Sequence, residues 1–191
     1  MIGRHPETQK VEVTDSVLYS DFHTPKMLLR GMSPIARKLL LLKLIRKRKT
    51  GIRNPKIVFI HAQYGLGNRL RALGSAMAFA RRTDRVLVLI WVLDQHLNCK
   101  FTELFVSNDE FVVSDSFEPG EGWPFESNLR NDAQMAQVKW YNYMRVNGKK
   151  VHTSDDVVED DIAHHIYLST CYVVQSPVTP FILRTQSTLR V

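Results

Sequence analysis

Cysteine is scarce in this sequence, and the two that occur, Cys99 and Cys171, stand far apart with neither a CxxC spacing nor a histidine-rich neighbourhood. This excludes a disulfide scaffold and leaves no zinc signature, while a single bridge between the two is not readable. Long apolar runs are missing as well. The most hydrophobic N-terminal stretch, residues 39–45, is interrupted by Lys43 and falls far short of the ~20 residues needed to cross a bilayer. Residues 1–12 are polar, unlike a secretory signal, and no asparagine opens an N-x-Ser/Thr acceptor. The default expectation is therefore a soluble, cytoplasmic chain. No internal repeat is visible.

What is present suits one globular domain with a real core: 191 residues, 44% hydrophobic and 24% charged. The net charge of +7 favours acidic partners, but much of it sits between Arg37 and Lys56. Ser33-Pro34 reads as an N-cap followed by Pro at the first helical position, opening a basic helix through Ile35, Leu39, Leu42 and Ile45. Thr50-Gly51 ends it after four cations. The segment from Arg37 to Lys56 is a candidate for an anionic membrane surface. Nucleic acid is disfavoured, since no aromatic is interleaved to stack on bases. With few apolar companions upstream, the helix reads as a solvated linker that folding does not need.

The most informative stretch is 56–74. Residues 57–60 form an apolar, β-branched run, Gly65 and Gly67 break it, and a small-residue helical pattern opens at Asn68. Strand, glycine turn and helix in that order gather bare backbone N–H groups and the positive end of a helix at one point, where a phosphate can sit. Asn68 reads as the N-cap. Arg69 and Arg71 then fall in the first turn, where the helix dipole opposes a cation by ~0.3–1 kcal/mol. An anion held by Gly65, Leu66, Gly67, Asn68, Arg69 and Arg71 would account for them; the plainer alternative is that both arginines turn to solvent or meet a carboxylate. Leu66, Leu70, Leu73, Met77 and Ala80 continue at helical spacing to Arg81-Arg82, and 86–93 reads as a parallel strand buried on both faces. This βαβ unit places the glycine turn, Asp94 and His96 on one rim, at the carboxyl ends of the strands.

Farther on, Phe101, Leu104 and Phe105 suit a short helical turn, 110–113 a third strand and 118–124 a loop. Asn131-Asp132 reads as the cap of a helix through Met135 and Val138. Asn147-Gly148 reads as a turn between 141–146 and 149–152, and 165–174 as the last strand. The expected fold class is α/β, a three-layer Rossmann-like domain with a mostly parallel sheet, preceded by the basic helix. Residues 1–50 form the lead-in and basic helix, 51–176 the Rossmann-like domain, and 177–191 a linker to a missing second domain.

Two rival sites exist. Gly65-x-Gly67 with Asp94 as ribose-binding acid resembles a dinucleotide fingerprint, but Leu70 stands at the third glycine position. Asp155, Asp156, Glu159, Asp160 and Asp161 with His164 and His165 are metal-ligand types, yet such a run more often forms a solvated turn, and no metal site is expected. Trp91 is either core or a ligand platform, and His96 either a polar loop residue or a base.

Tyr64-Gly-Leu-Gly-Asn-Arg-Leu-Arg-Ala-Leu73, the small-residue helix, Thr83-Asp-Arg-Val-Leu-Val-Leu89, Trp91, Asp94, Cys99, Phe101 and Glu103-Leu-Phe105 together resemble the N-terminal half of fucosyltransferase-like glycosyltransferases of GT-B architecture, the O-fucosyltransferase and nodulation fucosyltransferase-like group. The resemblance covers 56–105 well and continues more vaguely to 174. It implies GDP-fucose or a related nucleotide sugar as donor, a glycan or other hydroxyl acceptor, and no required metal. By the same resemblance the glycine turn with Asn68 and Arg69 faces the cleft, near the donor pyrophosphate and the acceptor hydroxyl, where Asn68 and Arg69 would neutralise charge on the leaving diphosphate; Trp91 is counted among the candidate substrate-binding residues. Asp94 or His96 would orient or deprotonate the acceptor. Such enzymes carry a second domain with a His-x-Arg-type motif, and membrane-anchored members carry a transmembrane segment; neither is found in this sequence. The expectation is a truncated or shortened relative, inactive as this chain alone, with a non-catalytic glycan- or phosphate-binding module as the alternative.

Overall fold

Ile57, Val58, Phe59 and Ile60 are all fully buried, so this strand needs apolar cover on both faces. The computed structural model describes residue 22 and residues 26–53, 55–106, 109–117, 138–146, 149–150 and 165–175. In chain order these form α1 (Lys26–Arg30), α2 (Pro34–Lys49), β1 (Ile57–Ala62), α3 (Leu66–Arg82), β2 (Val86–Ile90), α4 (Phe101–Leu104), β3 (Phe111–Ser114), β4 (Val138–Asn142), β5 (Arg145–Val146), β6 (Lys149–Lys150) and β7 (His165–Thr170).

Five strands make a parallel sheet in the order β3-β2-β1-β7-β4, and β5 and β6 pair antiparallel beside it. Ile57 registers with Val86 on one side and with His165 on the other. Alternate side chains sort the core into two halves. Val58, Ile60, Leu87 and Leu89 pack with Ala72, Leu73, Ala76, Phe79 and Ala80 of α3. Ile57, Phe59, Val86, Val88 and Ile90 pack with Leu28 and Leu29 of α1, and with Ala36, Leu40, Leu41 and Leu44 of α2. Helices thus cover both faces, and the architecture is a three-layer, Rossmann-like α/β fold.

Four expectations are corrected. The basic helix is no solvated linker: Leu40, Leu41 and Leu44 are at most 1% exposed in the core, whereas Ile35, Leu39 and Leu42 of the stripe read from the sequence lie outside. The helix carries apolar residues on two faces, so periodicity selected the wrong one. The lead-in likewise reaches the core through Leu28 and Leu29, and packing gives no boundary at residue 50. Val138 belongs to a strand, not a helix, and registers with His165. Tyr141 stands in that same parallel strand, so the hairpin keeps only its short arms β5 and β6. Residues 118–124, the cap at Asn131-Asp132, the turn Asn147-Gly148 and 177–191 lie outside the described residues.

Both ends of α2 are held where the sequence placed them. Ser33 Oγ accepts from the Ala36 N–H at 3.2 Å, with Pro34 at the first helical position, and Gly51 turns the chain away at φ 96°. The Ser33 N–H donates to Ser114 Oγ at 3.2 Å, at the end of β3, while Lys47 Nζ donates to the Asp84 carbonyl at 2.8 Å, just before β2. Helix α2 therefore runs opposite to the strands, and its first turn lies at their carboxyl ends.

Candidate functional site

The rim at the carboxyl ends of β1 and β2 carries the glycine turn. The helix opens three residues earlier than the sequence suggested: Gly65 is the N-cap, and its carbonyl accepts from the Asn68 and Arg69 N–H groups at 3.0 and 3.2 Å. The turn is made by Tyr64, which takes a left-handed φ of 66°. That conformation is uncommon for a bulky residue and concentrates at ligand-binding and switch positions. Asn68 is accordingly not the cap. It stands in the third helical position, where its Oδ1 accepts from Arg71 Nη2.

The glycines are not explained by the chain itself. Gly65 has φ −65°, open to any residue, and a Cβ there would meet nothing within 4 Å. A Cβ on Gly67 would meet only Arg71 Nη1, at 4.0 Å. No side chain caps the helix, so its first N–H groups stand at an unobstructed, bare terminus.

Arg69 has a different place from the one read in the sequence. Its side chain is buried, with Nε donating to the Tyr64 carbonyl, Nη1 to the Val92 carbonyl and Nη2 to Asp94 Oδ2, each at 2.7 Å. The guanidinium lies 4.9 Å from the Trp91 ring centre. Burial lowers its pKa, and Asp94 opposes that shift. The anion that accounts for this arginine is thus internal, and the residue sits in the second turn, where the dipole penalty has largely faded. Arg69 fixes the Tyr64 turn and ties it to the end of β2.

Asp94 is held from both sides. Oδ1 accepts from the His96 and Leu97 N–H groups at 2.8 and 2.9 Å, and Oδ2 from Arg69. Both oxygens orient the loop, which leaves them poorly placed to take a proton from an acceptor. Trp91 is fully buried, donates from Nε1 to the Cys99 carbonyl at 2.9 Å, and makes edge contacts with Phe101 and Phe105. It is core, not platform. His96 is exposed and stands edge-on to Tyr64 at 4.8 Å, while Arg71 is exposed beside the glycine turn.

The structure therefore brings Tyr64, Gly65, Leu66, Gly67, Asn68, Arg71, Asp94 and His96 together, and withdraws Arg69 and Trp91 beneath them. A polar group beside the turn was missed. His61 Nδ1 lies 3.0 Å from the Tyr167 hydroxyl, and Gln63 Nε2 donates to Ser169 Oγ at 2.8 Å. Burial, reinforced by Arg69, pushes His61 down to about 4, so the ring is neutral near pH 7. Only the β1–β7 pairing assembles this group, and no local pattern announces it.

Among the described residues no cluster of acids, histidines and cysteines suited to a metal is found; of the run noted from Asp155 onward, only His165 is described, and its Nδ1 accepts from the Ile57 N–H. Cys99 and Cys171 are free thiols. A cavity of about 300 Å³ opens at the other end of the sheet, between Lys47, Arg81, Asp84 and Glu110. Four of its charges pair with one another, Lys47 with Asp84 and Arg81 with Glu110, and Arg85, which also lines it, is buried and donates to the Ile57 carbonyl at 3.5 Å, so the rim is the better candidate. Comparison with protein-family models, curated proteins and solved structures finds no match.

Proposed function

We propose that this chain forms the diphosphate- and acceptor-facing domain of a nucleotide-sugar-dependent glycosyltransferase, of the fucosyltransferase-like kind its motifs resemble. One observation carries the reading: two glycines that neither backbone conformation nor packing requires, Gly65 at the N-cap and Gly67 in the first helical turn, stand at a bare helix terminus at the carboxyl ends of the strands. Such a terminus attracts a phosphate. In transfer the acceptor oxygen bonds to the anomeric carbon as the bond to the β-phosphate oxygen breaks, and negative charge grows on the leaving diphosphate. The α3 amides and Arg71 would meet that charge, with Asn68 holding Arg71 in place. His96, exposed above Tyr64, is the better-placed rim group to receive the acceptor proton, since Asp94 has both oxygens engaged.

A second reading, a phosphate- or glycan-binding module without turnover, is favoured by the same occupancy of Asp94. The experiment uses GDP and inorganic phosphate as probes. Gly67→Ala should raise stability by about 0.5–1 kcal/mol, because it replaces a helical glycine without a clash, and should weaken GDP binding by crowding the amides. Unchanged affinity in a well-folded Gly67→Ala protein, by calorimetry, would remove the rim as the diphosphate site. GDP release from GDP-fucose in the presence of glycan acceptors separates the enzyme from the module.

A further inference from the structure

Helix α2 holds seven cations and no acid in 16 residues. Its inner face is spent on the core. Its outer face exposes Ile35 (74%), Leu39 (46%) and Leu42 (40%) at i, i+4, i+7 spacing, one continuous stripe. Lys38, Arg46 and Lys49 stand exposed along it. The carboxylate of Asp84 and the carbonyl of Asp109 are engaged instead by Lys47 and Lys43.

We propose that this outer face is a docking surface for an anionic lipid bilayer. The helix lies in the membrane plane with Ile35, Leu39 and Leu42 at the acyl boundary and Lys38, Arg46 and Lys49 among the headgroups. Charge complementarity fixes the sign of the partner, and the aliphatic stripe fixes its class. A nucleic acid gains nothing from three aliphatic side chains, and α2 offers no aromatic on which a base could stack. A second copy of the chain would set these cations against the same cations across a two-fold axis. A bilayer satisfies both the apolar and the cationic residues. Because Ser33 is bonded to Ser114 at the end of β3, the apolar part of the stripe lies at the same end of the sheet as the glycine turn. The inference is independent of the transferase reading.

The test is flotation of the full chain with phosphatidylcholine vesicles, alone or with roughly one third phosphatidylserine. Binding should require phosphatidylserine and weaken with added salt, since the charges are exposed. Lys38→Gln, Arg46→Gln and Lys49→Gln should each weaken it about fivefold. The combined Ile35→Ser, Leu39→Ser and Leu42→Ser variant should lose it while still unfolding cooperatively in urea, at a somewhat lower midpoint, because all three residues lie outside the core; Leu39→Gln alone, expected to weaken binding, is the milder check. Failure of the parent to float, or equal flotation after both sets of changes, overturns the proposal. So does tight binding to duplex DNA, lost with the lysine and arginine variants and untouched by the serine variant, when vesicles are not bound.

Discussion

Replacing Asp94 by Asn tests whether the Arg69–Asp94 pair holds the rim together. The substitution keeps an oxygen for the His96 and Leu97 amides and removes only the charge facing Arg69, whose side chain is 1% exposed. Breaking a buried pair by removing one partner costs about 3–5 kcal/mol, because the remaining charge is stranded. The Asp94 side chain is 33% exposed, so water screens part of the loss and about 3 kcal/mol is expected. Arg69→Met loses three bonds and leaves the Tyr64 and Val92 carbonyls without that donor, but it also removes the desolvated cation. A loss of about 1–3 kcal/mol follows. The double variant should be less stable than the parent but more stable than Asp94→Asn alone, a non-additivity diagnostic of direct coupling. Urea unfolding at constant m-value measures all four proteins. A midpoint for Asp94→Asn within about 0.5 kcal/mol of the parent, or strict additivity in the double variant, refutes the argument.

Two further predictions concern the opposite face of the sheet and the pH response. Leu40→Ala or Leu44→Ala should cost about 2–5 kcal/mol, and a chain beginning at Ile52 should lose its cooperative melt, since it lacks the cover of one sheet face; an unchanged melt would contradict the packing described. His61 stays neutral down to about 4 in the fold but takes a proton near 6.5 when unfolded. Its contribution is therefore complete above about pH 6.5 and declines as pH falls toward about 4, by at most about 3 kcal/mol for this half-buried ring. Parent and His61→Gln should differ in the slope of stability between about pH 7 and about pH 4.5, and parallel slopes would show that the ring is solvated.

The sequence was legible where local chemistry decides. Ser33-Pro34, the unbroken β-branched run at Ile57, and the apolar stretch from Val86 each have one low-energy reading, and the structure follows them. It misled where two signals compete. Helix α2 has leucines on both faces, and only the presence of a sheet beside Leu40, Leu41 and Leu44 selects the inner one. Asn68 is a better capping residue than Gly65, yet the helix starts at Gly65 because Tyr64 turns sharply under the guanidinium of Arg69. Arg69 itself looked like a ligand contact because its partner, Asp94, is 25 residues away. Val138 was lost to a helical period that its pairing with β7 overrides.

The position of β7 matters before the protein is finished. Ile57 of β1 and the residue beside it in the sheet, His165, lie 108 residues apart in the chain. At ~5–20 residues per second, a ribosome delivers that partner roughly 5–20 s after the first strand. Until then β1, β2 and β3 can pair, but one side of β1 is an unprotected row of amides and carbonyls on a strand whose first four residues are Ile, Val, Phe and Ile. The nascent chain is thus most prone to cross-pairing with its neighbours on a polysome in that interval, and a chaperone that masks an extended apolar edge would act there.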